Sequence, residues 1–162
     1  RLVSAEPFRI ENSEDEGMKI TIEDRPDGGE DEIIIRCKHV DEHLLKLVYA
    51  LKAGQEKLTA TKGTDIVQVM PKEIFYFEAV DNKVFLYLEK DVYETKQKLY
   101  ELEERFRGTD FVRVSKSVIL NLSKVKSLSP AFNGRFEATM KNGEKLIVSR
   151  AYVPALKEKL GL

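Results

Sequence analysis

Two Asn-Gly pairs near the end of the chain constrain its fold more than any other feature. They are Asn133-Gly134 and Asn142-Gly143, and each lies between runs of alternating apolar and polar residues. Asn-Gly is the strongest short-range signal for an antiparallel hairpin, because both residues accept a positive φ. The run between the pairs, Phe136–Met140, alternates as a strand with one buried face does. This region is therefore predicted to be antiparallel β-sheet.

The middle of the chain repeats the pattern, with strand-like runs separated by short turn signals such as Asp81-Asn82. Two helices interrupt it. One is predicted to begin at Asp91, with Glu94 completing a capping box, and to end at Gly108. A short final helix has Pro154 in its first turn. The predicted fold is mainly β (α+β overall), multi-stranded, with one scaffold helix and one short C-terminal helix; its strands are predicted at 57–62, 65–70, 74–79, 83–89, 111–121, 125–129, 135–141 and 145–150.

The front of the chain is acidic and differs from the rest. Residues 1–17 lack periodicity and are predicted to be a disordered tail or a non-native remnant. Residues 18–54 read as a small β-β-α segment, with strands Lys19–Glu23 and Glu32–Lys38 paired as a hairpin. Asp41 is the predicted N-cap of the helix that follows, and Gly54 its stop. Such a segment is too small to fold alone. Residues 55–162 are predicted to form the main domain, and 18–54 to serve dimerisation or regulation.

Composition narrows the class of protein. There is one cysteine, Cys37, which excludes an internal disulfide and suits a cytoplasmic location. No apolar run reaches the roughly 18 residues of a membrane span. Cys37, His39 and His43 have a spacing that zinc could use, but no fourth ligand is evident, so no metal or other cofactor is expected. No P-loop, GxSxG or HExxH motif occurs, and an enzyme is not expected.

Positive charge is concentrated in residues 113–150, which hold eight Lys and Arg but two acids. Such a field attracts polyanions, although an ordinary solvated β surface could also carry it. Within it, Arg113, Ser115, Lys116 and Ser117 follow one another in FVRVSKSVILN, and Ser149 and Arg150 in VSRAY. Arg, Lys and Ser bind phosphates, and Arg reads guanine. Three readings stay open: a DNA-binding domain, a module for an acidic protein partner and, less favoured, an RNA-binding β domain.

The sequence then resembles a known family. The series IFYFEAVDNKVFLYLE, a helix, FVRVSKSVILNLSKVKSL and NGEKLIVSRAYVPALKEKL is similar to the LytTR DNA-binding domain, over roughly residues 57–162. The resemblance implies an elongated fold of about ten strands, whose loops enter successive grooves of bent double-stranded DNA, and a bacterial transcription regulator. Carried over by position, it implies DNA contacts at Asp81, Asn82, Lys83, Arg113, Ser115, Lys116, Ser117, Ser149 and Arg150.

Two departures from the family pattern matter. Ser115 stands where many members carry histidine, which puts a pH-sensitive contact at this position in doubt. Many members also carry a receiver domain, and residues 18–54 are too few to form one. The chain therefore resembles short members of the family, which are often restrained by a small membrane protein. It is predicted to act as a homodimer on repeated promoter half-sites. Asn121, by contrast, is predicted to close a turn and to be structural.

Overall fold

The computed structural model describes residues 9–10, 20–21 and 32–162, and it divides into two compact units, 1–38 and 39–162. In the first unit, β1 (Arg9–Ile10) pairs antiparallel with β2 (Ile20–Thr21). The predicted strand Glu32–Lys38 is wrong, because this stretch has no regular structure and its isoleucines are exposed. A strand needs a partner edge for its backbone groups, and β2 pairs with β1 instead. The other residues of the predicted tail and of the predicted strand Lys19–Glu23 lie outside the described residues.

The second unit is built on antiparallel sheets, which confirms the predicted β-rich class. Seven strands form one sheet in the order β4-β3-β7-β6-β5-β9-β8, and three form another in the order β10-β11-β12. The strands are β3 (Leu58–Lys62), β4 (Asp65–Val69), β5 (Tyr76–Val80), β6 (Lys83–Tyr87), β7 (Val92–Thr95), β8 (Phe111–Arg113), β9 (Val118–Asn121), β10 (Val125–Pro130), β11 (Phe136–Met140) and β12 (Lys145–Val148). The helices are α1 (Glu42–Gln55), α2 (Leu99–Arg105) and α3 (Val153–Lys159), with short 3-10 turns at Pro71–Glu73, Leu122–Lys124, Phe132–Gly134 and Arg150–Tyr152.

The helix predicted to begin at Asp91 begins instead at Leu99. The residues before it form β7, which lies between β3 and β6 and pairs with both. This segment is rich in good strand formers, namely Val92, Tyr93 and Thr95. Pairing with β3 and β6 stabilises it as a strand more than the local capping pattern stabilises a helix. The capping box that forms is at Lys98, whose N–H donates to Glu101 Oε2 at 2.6 Å.

The other two helices lie close to where the sequence predicts them. The Asp41 carboxylate caps α1 by accepting from the Leu44 N–H at 2.8 Å, and α1 continues one residue past Gly54. Ala53 is buried in the core of the second unit, so α1 packs on the sheet domain. Pro154 lies in the first turn of α3, as predicted.

Two apolar cores lie on opposite faces of β5 and β9. Phe77 and Ile119 point into one core, together with α2 and the outer strands. Tyr76 and Leu120 point into the other, against β10–β12 and α3. All four residues of β9 are buried. The loop that precedes β9 is therefore held by a strand packed on both faces.

The Asn121 side chain closes the turn after β9, as predicted. It is buried, its Nδ2 donates to the Ile74 carbonyl at 2.7 Å, and its Oδ1 accepts from the Ser123 N–H at 3.1 Å and hydroxyl at 2.7 Å. Three of its hydrogen-bonding positions are thus satisfied at the point where the two cores meet.

Asn121→Ala is expected to lower the free energy of unfolding by about 1–3 kcal/mol, because it leaves the Ile74 carbonyl buried without this donor. Urea denaturation followed by circular dichroism measures the change. Asn142→Ala is the control, since Asn142 makes one local bond, to the Glu144 N–H. Equal losses for the two variants would contradict a structural role specific to Asn121.

Candidate nucleic-acid interface

The loop between β8 and β9, Val114–Ser117, is shaped by Arg113. The Arg113 Nε donates to the Ser115 carbonyl at 2.7 Å, and its Nη2 donates to the Lys116 carbonyl. Its Nη1 donates to Glu103 on α2 at 2.9 Å. The Arg113 side chain is 19% exposed, so most of its donors are used inside the protein. In this structure Arg113 positions the loop.

The loop in turn presents Lys116 to solvent. The Ser115 hydroxyl accepts from the Ser117 N–H at 3.2 Å, which narrows the turn around Lys116. Lys116 is exposed, and its ammonium group has no hydrogen-bond or ionic partner within the described residues. A cation on a braced loop can neutralise a phosphate at little conformational cost.

Backbone hydrogen bonds bring three separated segments to one edge of the domain. The Ser149 N–H donates to the Val114 carbonyl at 2.9 Å, and the Ala79 N–H donates to the Ser117 carbonyl at 2.8 Å. The turn between β5 and β6 follows Ala79 by two residues. We call the resulting surface the loop edge, and it consists of Asp81–Lys83, Ser115–Ser117 and Ser149–Arg150.

The β5–β6 turn contributes Asp81, Asn82 and Lys83 to the loop edge. Asp81 and Asn82 both have positive φ, 49° and 63°, as the tight hairpin requires. The Asn82 carbonyl accepts from Lys98 at 3.4 Å, whereas Lys83 forms an ion pair with Glu94 at 3.1 Å. Of the three predicted contacts here, Lys83 is the one already paired inside the protein.

Arg150 lies at the start of the 3-10 turn after β12 and is exposed. Its guanidinium has no partner in the described part of the chain. Its aliphatic stem runs over Gly134, where an added Cβ would lie 3.2 Å from Arg150 Cδ and 3.3 Å from Cγ. Gly134 has a φ of +71°, so both the backbone shape and the close approach favour glycine.

Sequence reasoning missed two residues beside Arg150. Phe132 and Arg135 lie on the β10–β11 connection, on either side of Asn133-Gly134, and both are exposed. The Asn133-Gly134 pair predicts a hairpin, but it does not predict that Arg150, at the end of β12, packs against that hairpin. The signal that could have found them is a large apolar residue placed in a turn, where solvent exposure is expected.

Of the eight cations between residues 113 and 150, three side chains have partners: Arg113 with Glu103, Lys145 with Glu137 at 2.9 Å, and Lys124 over the Phe75 ring at 5.2 Å. The other five make no side-chain hydrogen bond or ion pair with described residues; they are Lys116, Lys126, Arg135, Lys141 and Arg150. Two of these five cations, Lys116 and Arg150, belong to the loop edge.

The tyrosines near the second core are not part of the loop edge. Tyr76 and Tyr87 stack with ring centroids 4.3 Å apart. Burial raises the pKa of both phenols, with the Glu144 carboxylate adding to the shift at Tyr76 and the hydrogen bond to Glu78 at Tyr87. The Tyr87 hydroxyl donates to Glu78 at 3.0 Å. Glu78 lies on β5, close to the loop edge, and this hydrogen bond occupies its Oε2 atom.

No helix among the described residues combines the length and apolar character of a membrane span.

The second unit is thus a β-domain of ten strands in two antiparallel sheets, with the exposed cations Lys116 and Arg150 on its loop edge. Residues 64–161 match the LytTr DNA-binding domain family, and the chain belongs to that family. The chain is 32% identical over 114 residues to the sensory transduction protein LytT of Enterococcus faecalis, covering 70% of this chain and 47% of that protein. It is also 32% identical over 125 residues to LytT of Bacillus subtilis, covering 77% and 52%.

Solved structures agree with the family assignment. The LytTr DNA-binding domain of a Bacillus cereus protein superposes with a TM-score of 0.64 at 28% identity, covering 67% of this chain and all of that domain. The chain spans about half the length of the curated relatives it matches. The family resemblance is therefore confirmed for the sheet domain, and the activity of a whole regulator is a matter for proposal.

Proposed function

We propose that the chain is a sequence-specific, double-stranded DNA-binding transcriptional regulator. The observation that carries this proposal is the pair Lys116 and Arg150. They are exposed cations without partners among the described residues, held on two segments that a backbone hydrogen bond joins at 2.9 Å. Two fixed cations on adjacent loops suit a duplex, whose charges follow a regular spacing.

The residues of the loop edge take different roles. Arg150 reads a guanine with two hydrogen bonds, and Lys116 contacts a phosphate or a base. Ser115, Ser117 and Ser149 fix the register on the backbone, with Asn82 at the neighbouring turn. Arg113 acts indirectly, by holding the loop that carries Lys116. Lys83 contacts a phosphate only if its ion pair with Glu94 breaks.

Selection from a random duplex library tests the proposal without knowledge of the operator. The full chain is immobilised, and bound duplexes are amplified over several rounds. A regulator enriches a short motif containing guanine at a fixed position. Enrichment of no motif would contradict the proposal and favour the other candidate, a basic surface for an acidic protein partner.

Dimerisation is a further part of the proposal, and helix α1 supports it. The side of α1 at Lys46 and Ala50 packs near Gly108, where an added Cβ would lie 3.5 Å from the Ala50 Cβ. With 3.6 residues per turn, Leu47 and Leu51 lie about 100° around the helix from that side. They are 38% and 36% exposed.

A second copy of this chain, antiparallel along α1, is the occupant that fits the Leu47 side best. Glu42 lies in the first turn of α1 and Lys52 in the last. In an antiparallel pair, Glu42 of each copy therefore lies opposite Lys52 of the other, and the two helix dipoles point in opposite directions. A 14-residue helix is about 21 Å long and buries little area, so the dimer is weak in solution. Binding to two neighbouring half-sites strengthens it by raising the effective concentration, and bending of the duplex would allow both domains to engage.

Leu47→Glu is expected to weaken self-association at least about ten-fold, because it places two carboxylates within a small apolar contact. Sedimentation equilibrium of the full chain measures the dimer dissociation constant, and circular dichroism verifies that α1 persists. Ile66→Glu is the matched control, an exposed aliphatic residue on the outer strand β4. Equal association of the two variants would rule out α1 as the contact.

A further inference from the structure

Phe132 is 86% exposed, the highest value among the large apolar side chains in the described residues. It lies at the beginning of the 3-10 turn that joins β10 to β11. Scattered apolar side chains are normal on protein surfaces, so exposure alone indicates little. The shape of the turn and the residues packed on it give a second reason to infer a contact at Phe132.

The turn that carries Phe132 is closed by its own backbone. The Ala131 N–H donates to the Arg135 carbonyl at 2.8 Å, and Asn133 and Gly134 both have left-handed φ values, 59° and 71°. Positive φ at a residue other than glycine is uncommon and occurs more often at functional sites. The ring of Phe132 is therefore displayed from a defined turn.

The same turn is packed against the proposed base-reading residue. The stem of Arg150 lies over Gly134, within 3.2–3.3 Å of where a Cβ would be. Arg135 is exposed one residue after Gly134 and lacks a side-chain partner among the described residues. Phe132 and Arg135 therefore lie on the same β10–β11 connection, and the stem of Arg150 packs on that connection at Gly134.

We propose that Phe132 contacts the DNA, and that its ring is buried against deoxyribose and base-edge carbons beside the base that Arg150 reads. This inference rests on the proposed DNA-binding function. Duplex DNA combines phosphates with apolar sugar carbons and thymine methyl groups. Arg135 therefore neutralises a phosphate and Arg150 reads its base, while the ring covers the neighbouring carbons. The contact adds an apolar component to a surface otherwise dominated by charge.

Tryptophan fluorescence tests the contact directly, because the chain contains no tryptophan. In Phe132→Trp the single indole lies at the proposed contact. Its emission is expected to shift to the blue and to be quenched when the variant is saturated with the duplex recovered by selection. Ile66→Trp, on β4 at the far side of the seven-stranded sheet, is the control and is expected to change little. Unchanged emission of Phe132→Trp at saturation, verified by anisotropy of labelled duplex, would overturn the proposal.

Phe132→Ala measures how much the ring contributes. The variant is expected to bind the selected duplex about ten-fold more weakly, in line with one aromatic contact to a nucleotide. The dependence of affinity on salt concentration is expected to stay the same, because the ring carries no charge. Arg135→Ala, by contrast, is expected to lower the salt slope by roughly one phosphate contact.

The two proposals fail in different ways. If the unaltered chain binds the selected and scrambled duplexes equally, the proposed sequence-specific regulator function itself is wrong. If it discriminates between them and Phe132→Ala binds as tightly as the unaltered chain, the function stands and the Phe132 contact is wrong. Because Phe132 is exposed, its replacement is not expected to unfold the domain, and circular dichroism checks this.

Discussion

Phe77→Ala is expected to lower the free energy of unfolding by about 3–5 kcal/mol, the largest effect of any substitution considered for this chain. Phe77 is fully buried on β5, with its ring centroid 5.8 Å from that of Phe106 and 5.4 Å from that of Phe111. Removing the ring leaves a cavity between α2 and the sheet that these two rings cannot fill without moving.

Urea denaturation of the full chain measures this loss, followed by far-ultraviolet circular dichroism. Phe132→Ala provides a matched control, since it makes the same chemical change at an exposed site and is expected to alter stability by no more than about 0.5 kcal/mol. A loss below about 1 kcal/mol for Phe77→Ala would contradict the description of a single packed core on this face of β5.

Arg150→Ala is expected to weaken binding to the selected duplex by about 1–3 kcal/mol, roughly 5- to 150-fold, and to relax preference at one base pair. The physical reason is that a guanidinium offers two parallel donors to guanine, and the Arg150 group has no competing partner among the described residues. Arg150→Lys is expected to retain the salt dependence but to lose most of the base preference, since an ammonium is a point charge.

Lys145→Ala is the matched control for Arg150→Ala. It also removes one positive charge near the end of the chain, but Lys145 is already paired with Glu137. Competition anisotropy with duplexes that differ at single base pairs distinguishes a base contact by Arg150 from a phosphate contact. If Arg150→Ala loses affinity equally for every sequence, Arg150 contacts a phosphate and base readout must be assigned elsewhere on the loop edge.

Much of the sheet domain follows from local chemistry. Asn-Gly pairs, alternating runs and Asp81-Asn82 correctly predict hairpins, because a turn with positive φ selects a few residue types wherever it occurs. The cap at Asp41 and the start of α3 at Pro154 are equally local. The sequence also singled out the clusters at Lys116 and Arg150, which the structure brings to one edge of the domain. Their contacts with DNA stay predictions.

What the sequence could not reveal depends on partners far along the chain. Val92–Thr95 has a helix-start pattern and forms a strand, because β3 and β6 leave a place between them. Arg113 looked like a phosphate contact, but Glu103 and two loop carbonyls occupy its donors. The position of Phe132 beside Arg150 depends on how β11 and β12 pair, which fixes Phe136 opposite Val148.

The most direct test of the account is the ratio of two dissociation constants, measured by fluorescence anisotropy with the full chain at physiological salt. One duplex carries the motif recovered by selection, and the other has the same composition in scrambled order. The account predicts binding at least ~10³-fold tighter to the selected duplex. Equal, weak binding to both would contradict it, and would leave the loop edge as a basic surface without sequence preference.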